Sequence, residues 1–318
     1  MTGNICDAIV IGRNEGERLR ACLTSVAGRF RRVIYVDSGS VDGSVALAEA
    51  MGAEVVMLGA TQPFTAARAR NTGLARLSAD PPEFVQFLDG DCRLDPHWLP
   101  SAIDFLRAHP DVAVVCGRRR EIAPEASVYS RLADAEWNTP IGEARACGGD
   151  ALMRYAPLAA VAGYREDLIA GEEPELCVRL RRLGFRIWRL DAEMTLHDIG
   201  MTRLSQWWRR MSRSGYAFAE GAALHGAPPE RHWVTETRRA LLWGLVLPIA
   251  AVAGGLFHWS FWLLLALWPL QWLRLSRKLG PERAFFLLLG RFPEAQGVLT
   301  YAWQRLRGKK SRLIEYKA

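Results

Sequence analysis

The sequence lacks the short motifs that mark the common zinc, phosphate-loop and nucleic-acid sites. Its six cysteines are scattered and never form a C-x-x-C pair, which argues against a zinc site and gives no disulfide framework. It contains no G-x-x-x-x-G-K-[ST] or G-x-G-x-x-G loop, and no zinc-finger or RNP sequence supports nucleic-acid binding. We therefore expect a reducing compartment and no nucleic-acid partner. The N-terminus has no long apolar stretch, so we also expect no secretory signal.

Charge is distributed unevenly along the chain. The net charge is +7, but residues 1–200 hold 23 arginines against 28 acidic residues, whereas residues 201–318 hold 18 basic residues against 6 acidic ones. The basic part also contains the longest apolar run, Ala240–Leu273, in which His258 is the only ionisable side chain. Basic charge beside apolar sequence favours the lipids of an anionic membrane surface as a partner over nucleic acid.

The apolar run is too long for one ordinary membrane span and short for two, because a span needs about 20 residues. Gly254-Gly255 and His258 could mark a turn near its middle, and basic residues flank both of its ends. Positive flanks favour both ends on the cytoplasmic side. We predict a membrane hairpin over residues 237–275, either spanning or re-entrant. The alternative is a buried helical hairpin of a soluble protein.

The first 120 residues alternate strand and helix patterns. Strand segments are predicted at 8–11, 33–36, 54–58, 84–88 and 112–116, and helices at 15–26, 44–51, 66–77 and about 95–108. Repeated βα units of this size predict an α/β domain with a mostly parallel sheet and helices on both faces. Asp95-Pro96 is interpreted as the start of the fourth helix. Further along, the patterns predict a helix at 174–183, a strand at 185–190 and a Trp- and Arg-rich helix at about 203–219.

Two aspartates follow the predicted strand at 84–88, in the order Asp89-Gly-Asp91. Open α/β sheets bind their ligands at the carboxyl ends of the strands. Hard carboxylate oxygens suit Mg²⁺ or Mn²⁺, which one or two carboxylates commonly hold together with substrate phosphates. The tripeptide is therefore a candidate clamp for a metal ion and a diphosphate. The alternative is an acidic surface turn.

Five segments in chain order resemble the family 2 glycosyltransferases, the large inverting class with the GT-A fold. They are Ala8–Glu15, Val36–Ser44, Ala69–Gly73, Leu88–Asp91 and Gly171–Leu176. Each is weak alone, but together they give a strong resemblance over roughly residues 5–220. It implies a Rossmann-like GT-A domain that transfers a sugar from a nucleoside-diphosphate sugar to a hydroxyl acceptor, with Mg²⁺ or Mn²⁺ as divalent cofactor.

The resemblance also implies roles for individual residues. It assigns Asp37, Arg70 and Asp89 to the nucleotide sugar, and Asp91, assisted by Asp89, to the metal ion. His197 lies where some members of the family have a further metal ligand. Other interpretations stay open for three of these residues: Asp37 as a helix cap, Arg70 as a solvated helix-surface arginine, and His197 as a structural histidine.

Glu172 and Glu173 match the position of the family's general base. The family usually has Glu-Asp here, so this chain carries a side chain one methylene longer in the second place. We assign the role of base to Glu173, with Glu172 as second choice, because a carboxylate within hydrogen-bond reach can take the proton of the attacking hydroxyl. The alternative is an acidic cluster that favours the start of the helix at Pro174.

Two further features have more than one interpretation. Gln206-Trp-Trp-Arg209-Arg210 partly resembles the Gln-x-x-Arg-Trp motif of processive members such as cellulose and hyaluronan synthases, but Arg210 replaces the final Trp and puts processivity in doubt. Arg209 could brace the diphosphate, or the segment could form an amphipathic interfacial helix. Asp150 lies near the family's acceptor region and could contact a hydroxyl or cap the next segment.

The sequence therefore predicts a GT-A domain over 1–200, an amphipathic basic helix and linker over 201–236, the hairpin over 237–275 and a basic tail over 276–318. The hairpin suggests a lipid-linked acceptor, as in exopolysaccharide or cell-envelope glycan assembly at the cytoplasmic membrane, with the catalytic domain facing the cytoplasm. Two other functions stay open: a catalytically silent membrane scaffold and a nucleotidyl- or phosphoryl-transferase. The sequence does not specify the sugar, the base or the acceptor.

Overall fold

The computed structural model describes residues 5–308, and the chain divides into two compact units. The first comprises the residues up to Leu168 together with Glu172–Thr202, and the second comprises Ile169–Gly171 together with the residues from Arg203 onward. The first unit contains the sheet and the second is helical. All six cysteines lie in the first unit, where they are buried and unpaired.

The first unit, in the part of the chain that the structure describes, is built on a nine-stranded sheet. Its strands are β1 (Cys6–Gly12), β2 (Val33–Asp37), β3 (Glu54–Met57), β4 (Phe84–Asp89), β5 (Cys92–Leu94), β6 (Val112–Glu121), β7 (Gly142–Ala144), β8 (Ala151–Arg154) and β9 (Arg186–His197). Their order across the sheet is β3-β2-β1-β4-β8-β6-β9-β5, and β7 also pairs with β9.

Strands β1 to β4 pair in parallel, as the βα repeats predict. The inner strands are largely buried on both faces, as β4 shows: its apolar residues Phe84, Val85, Phe87 and Leu88 are all fully buried. Such continuous burial is typical of parallel strands covered by helices. The parallel register places the last residues of β1, β2 and β4 at one edge of the sheet.

Seven helices belong to the described part of the first unit. They are α1 (Glu17–Val26), α2 (Ser44–Ala50), α3 (Ala66–Leu77), α4 (Trp98–Ala108), α5 (Val128–Trp137), α6 (Tyr155–Ala160) and α7 (Glu172–Arg182). Helix α1, for example, is amphipathic and buries Leu19, Leu23 and Val26 on one face. At the start of α3, the Thr65 side chain accepts a hydrogen bond from the Arg68 amide at 3.1 Å.

Several elements differ from the predictions: β5, β7, β8, α5 and α6 were not predicted, and α4 begins later than expected. Helix α4 begins at Trp98 rather than at Asp95, because the Asp95 carboxylate accepts a hydrogen bond from the His97 amide at 2.8 Å and closes a turn before the helix. Strand β8 was not predicted. It has only four residues and runs antiparallel to both β4 and β6, so it belongs to no βα repeat.

The second unit consists of helices in the described residues. They are α8 (Leu204–His225), α9 (Val234–Leu241), a π-helical segment (Leu242–Val246), α10 (Leu247–Gly255), a 3₁₀ segment (Trp259–Ala266), α11 (Leu267–Leu279), α12 (Pro281–Leu289) and α13 (Arg291–Leu306). The predicted basic tail is thus helical as far as Leu306, and residues 309–318 lie outside the described part. Helices α12 and α13 form because their apolar residues, among them Leu288 and Val298, recur at helical spacing and are buried.

Helices α8 and α13 approach each other at the level of their backbones. A Cβ atom on Gly297 would overlap the carbonyl oxygen of Ser212, and one on Gly215 would overlap that of Glu294. The Tyr216 and Tyr301 rings meet edge to face at 5.3 Å. The two glycines are therefore required for the close contact of the two helices.

The predicted hairpin reverses direction where the glycine pair indicated. Trp243 and Trp268 meet with ring centroids 5.7 Å apart, and a Cβ on Gly254 would overlap the Phe261 ring. The segment Val234–Gly255 is the one helix in the described residues that is long and apolar enough to cross a membrane, and 11% of its most apolar window is buried. Large apolar side chains near the turn are exposed; Phe257, for example, is 90% exposed. Within the described residues the hairpin is therefore largely exposed, and its association with a membrane stays a prediction.

We predict that Gly297→Ala destabilises the second unit by about 2 kcal/mol or more, because the added Cβ forces α8 and α13 apart. The loss is expected even though alanine has the higher helix propensity. Thermal unfolding of the detergent-purified chain measures it. Gly59→Ala is the matched control, since its Cβ would meet no atom closer than 3.9 Å. Equal melting temperatures for both variants would contradict the close contact.

Candidate active site

The carboxyl edge of the parallel strands gathers the acidic residues that the sequence singled out. Gly12 at the end of β1 lies opposite Asp37 of β2, and Ile11 lies opposite Asp89 of β4. The turn after β4 is held close to β1, because the Gly90 amide donates a hydrogen bond to the Ile11 carbonyl at 2.8 Å. The predicted Asp89-Gly-Asp91 turn therefore lies at the edge where α/β sheets bind ligands.

One buried arginine connects three elements at this edge. The Arg70 side chain on α3 is 2% exposed, and its guanidinium lies 3.0 Å from Asp89 Oδ1, 3.0 Å from Glu172 Oε1 and 2.8 Å from Glu173 Oε1. It also lies over the Tyr164 ring, 5.4 Å from the centroid. Arg70 is therefore not a solvated helix-surface residue, and it joins Asp89, Glu172 and Glu173 in one cluster.

Arg119 is a member of this cluster that sequence reasoning missed. Its guanidinium lies 3.4 Å from Asp89 Oδ2 and 3.5 Å from Asp150 Oδ2, and it stacks over the Trp137 ring at 5.0 Å. In the sequence it is the middle of three consecutive arginines and gives no signal of its own. Successive side chains of a strand point to opposite faces, so the neighbouring Arg120 is exposed and pairs with Glu193.

Asp150 braces the edge of the sheet from inside. Its Oδ1 accepts a hydrogen bond from the Asp89 amide at 3.2 Å, and its Oδ2 accepts one from the Thr195 hydroxyl at 2.8 Å. The side chain is fully buried. Both oxygens are thus engaged within the protein, and this bracing role is neither of the two interpretations left open by the sequence.

Asp91 and His197 form a second pair beside the first cluster. Strand β5 pairs with the end of β9, so that Cys92 lies opposite His197, and His197 Nε2 is 3.3 Å from Asp91 Oδ2. Both side chains are buried. The other ring nitrogen, Nδ1, has no hydrogen-bond partner among residues 5–308, with Glu121 Oε2 at 3.8 Å. The sequence-predicted association of His197 with the aspartate turn is therefore present in the fold.

The atoms of this pair suit a divalent cation. Asp91, Cys92 and His197 offer potential ligand atoms within 4.8 Å of one another. The Cys92 thiol is a soft ligand and suits the hard cations Mg²⁺ and Mn²⁺ poorly. A carboxylate and an imidazole remain, and this donor set suits Mn²⁺ or Mg²⁺ while leaving positions open for phosphate oxygens.

The electrostatic environment of the cluster shifts the pKa values of its carboxylates in opposite directions. Burial, followed by the negative charge of Glu172, raises the pKa of Glu173 to about 7, while Arg70 opposes both effects. Burial would also raise the pKa of Asp89, but Arg70 and Arg119 lower it below its usual range. One carboxylate is thus held ionised while another titrates near neutral pH, an arrangement that suits acid–base chemistry.

Asp37 has a local role in the structure. Its Oδ1 accepts hydrogen bonds from the Gly39 and Ser40 amides at 2.8 Å each, and its Oδ2 accepts one from the Tyr35 hydroxyl at 3.0 Å. The residue therefore stabilises the turn after β2, including Gly39 with its positive φ of 83°. Its predicted contact with a nucleotide stays a prediction.

The Gln-x-x-Arg segment starts helix α8 in the second unit. The Gln206 side chain accepts a hydrogen bond from the Arg203 amide at 3.0 Å and caps the helix. Trp207 is buried against Phe286, with the rings 5.3 Å apart, so this tryptophan does not present a free face to a membrane surface. The predicted contact of Arg209 with a diphosphate stays a prediction.

Comparison with known proteins finds similar glycosyltransferases. Residues 7–156 match the family described as Glycosyl transferase family 2. Over 226 residues the chain is 30% identical to the pre-mycofactocin glycosyltransferase of Mycobacterium tuberculosis strains CDC 1551 and H37Rv, a region that covers 67% of this chain and 46% of that protein. The chain thus spans about half the length of the curated relatives it matches.

Solved structures with the same fold are more distant in sequence. The mannosyltransferase PcManGT from Pyrobaculum calidifontis, in complex with GDP-Man and Mn²⁺, superposes with a TM-score of 0.66 at 21% identity and covers 95% of this chain and 88% of its own. S. aureus TarS 1–349 gives a TM-score of 0.52 at 17% identity, covering 96% and 93%. The motifs, the α/β sheet and these matches together show a glycosyl transferase family 2 domain over residues 7–156 with the GT-A fold.

Proposed function

We propose that the protein is an inverting, metal-dependent glycosyltransferase that moves a sugar from a nucleoside-diphosphate sugar to a hydroxyl acceptor. The observation that carries the proposal is the cluster around Arg70. It joins the Asp89-Gly-Asp91 turn to the acidic start of α7, so that a metal-binding turn and a candidate base share one buried site. PcManGT was solved with GDP-Man and Mn²⁺, and TarS with UDP-GlcNAc, which supports a nucleotide-sugar donor.

Asp91 and His197 would hold the divalent cation. Asp89 is less suited to direct ligation, because its two oxygens already contact Arg70 and Arg119 at 3.0 and 3.4 Å. The bound ion would neutralise charge on the diphosphate leaving group. Arg70 and Arg119 add two fixed positive charges at the same edge of the sheet, where an anionic donor would bind.

Glu173 would take the proton of the acceptor hydroxyl. An inverting transfer needs one base, placed on the side of the sugar opposite the leaving group, and forms no covalent bond to the enzyme. Arg70 fixes the Glu173 carboxylate at 2.8 Å. With a pKa of about 7 this group is ionised in about half of the molecules at neutral pH and is a stronger base than an ordinary carboxylate. Glu172 contacts the same guanidinium and stays the second choice.

We further propose that the chain works at the cytoplasmic membrane on a lipid-linked acceptor, in exopolysaccharide or cell-envelope glycan assembly. The support is the exposed apolar hairpin, in which Leu256 and Phe257 are 80% and 90% exposed. Large apolar side chains that are exposed together on one surface favour an apolar environment such as a lipid bilayer. Removing residues 237–275 tests this part: full activity on a natural lipid acceptor would contradict it.

We predict metal-dependent release of nucleoside diphosphate from one donor sugar. A screen of donors against the detergent-purified chain with Mn²⁺ or Mg²⁺ measures it. We expect Asp91→Ala to lower the rate roughly 100-fold or more, because the cation loses its main carboxylate. Asp95→Ala, which removes an acid of a nearby surface turn, should keep the rate. Release of pyrophosphate would point to nucleotidyl transfer, and absence of nucleotide binding would point to a scaffold.

A separate prediction concerns the pH dependence of the reaction. Because the pKa of Glu173 is raised, the carboxylate is protonated below about pH 7 and cannot accept a proton, so the rate should fall as the pH drops through that value. Glu173→Gln should abolish this limb and lower the rate roughly 10²- to 10⁴-fold.

A companion variant tests the cause of the raised pKa. Glu172→Gln removes the neighbouring negative charge, so the acidic limb should move to lower pH. Glu143→Gln, which removes an exposed acid of β7, should leave the profile in place. A rate that is constant from about pH 5 to pH 8 in the unmodified chain would contradict the assignment of Glu173.

A further inference from the structure

Four cationic side chains line one cavity of the second unit. The cavity has a volume of about 490 Å³, and its walls come from helices α9, α11, α12 and α13 and the π-helical segment. The side chains that matter for its chemistry are Arg239, Arg274, Lys278 and Arg291, with Trp243 and Leu275 beside them. The lining of the cavity therefore combines basic and apolar side chains.

The positive charge in this cavity is largely uncompensated. No acidic residue among 5–308 lines the cavity, and in that range Arg239, Arg274 and Lys278 form no ion pair. Arg291 alone has one, with Glu294 at 2.7 Å. Like charges held this close repel one another, and an anion between them would offset the repulsion. Phosphate oxygens match the forked donors of arginine.

The cations lie where the exposed apolar surface of the hairpin stops. Along the helix Val234–Gly255, Arg239 precedes the first large exposed apolar residue, Leu242; on the returning helix α11, Arg274 follows Leu273. The antiparallel contact of the two helices brings both basic ends to the same side. At 1.5 Å per residue, the helix from Arg239 to the turn is roughly 25 Å long, close to the hydrocarbon thickness of a bilayer. The cavity would thus lie at headgroup depth.

We propose that this cavity binds the phosphate of an anionic phospholipid headgroup. The proposal rests on the proposed membrane association, and it adds a defined lipid site that is separate from the sugar-transfer chemistry. A lipid fits better than a soluble phosphate, because Trp243 and Leu275 of the cavity lie close in the chain to exposed apolar residues of the hairpin, Leu242 and Leu273, where acyl chains would pack. Basic residues next to an inserted helix commonly bind anionic headgroups.

The test measures which lipid the full chain selects in detergent micelles. Phosphatidylglycerol and phosphatidylcholine, each with the same fluorescent acyl chain, are compared by energy transfer from the protein's tryptophans. We expect a preference for phosphatidylglycerol. In the triple variant Arg239→Gln, Arg274→Gln, Lys278→Gln, the affinity for phosphatidylglycerol should fall roughly tenfold. The phosphatidylcholine signal should stay unchanged.

The matched control removes three other exposed cations of the second unit, in the variant Arg238→Gln, Arg277→Gln, Arg307→Gln. It has the same net charge, and two of its positions adjoin cavity residues in the chain, but none lines the cavity. It should keep the preference. Equal losses in both variants would show a general charge effect and overturn the site, and so would an unchanged preference in the cavity variant.

Two further measurements distinguish a lipid site from a free-phosphate site and from a failure of membrane association. Inorganic phosphate is added at constant ionic strength; if it displaces labelled phosphatidylglycerol as well as the unlabelled lipid does, the cavity is a free-phosphate site and the proposal is overturned. Flotation of the chain with phosphatidylcholine vesicles tests membrane association by itself. Failure to float would refute the membrane location, whereas flotation without headgroup preference would refute only the cavity site.

Discussion

The buried guanidinium of Arg70 is the interaction on which the candidate site depends. It is 2% exposed and touches Asp89, Glu172 and Glu173, which come from two other elements of the fold. A buried charge is costly unless it is paired, and the loss of one partner leaves the other uncompensated, at about 3–5 kcal/mol. Loss of one of these contacts should therefore destabilise the end of β4, helix α3 and the start of α7 together. The metal turn and the candidate base keep their spacing for the same reason.

The same pairing also gives the carboxylates different properties. Asp89 lies between two guanidiniums, those of Arg70 and Arg119, and stays ionised. Glu173 shares Arg70 with Glu172, so burial and a like charge outweigh its one cation and raise its pKa. Because Asp89 has two arginine partners and Glu173 shares one with Glu172, the fold keeps Asp89 ionised and gives Glu173 a proton to exchange near neutral pH.

The sequence predicted what depends on local pattern. The strand before Asp89, the turn that contains Asp91 and the acidic start of α7 each consist of consecutive residues, and His197 was found through the resemblance to the family. Arg119 could not be found in this way, because its partners come from β4 and from the loop before β8, which is antiparallel and outside the βα repeat. The pairing of β6 with β9 also shifts register on either side of Arg118, which no alternation pattern reveals.

The charge asymmetry of the chain has a physical meaning once the contacts are known. In the acidic first unit, arginines are internal partners: Arg31 and Arg32 both contact the fully buried Asp7, at 2.8 and 2.9 Å, just as Arg70 contacts its three acids. The basic second unit has few acids to offer, so cations such as Arg239 and Arg274 have no ion-pair partner within the described chain. Arginine that is paired inside fixes a fold, whereas arginine that is unpaired beside an apolar surface is available to an anion from outside. The two halves of the sequence thus use the same side chain in two ways, and the difference follows from the supply of carboxylates in each.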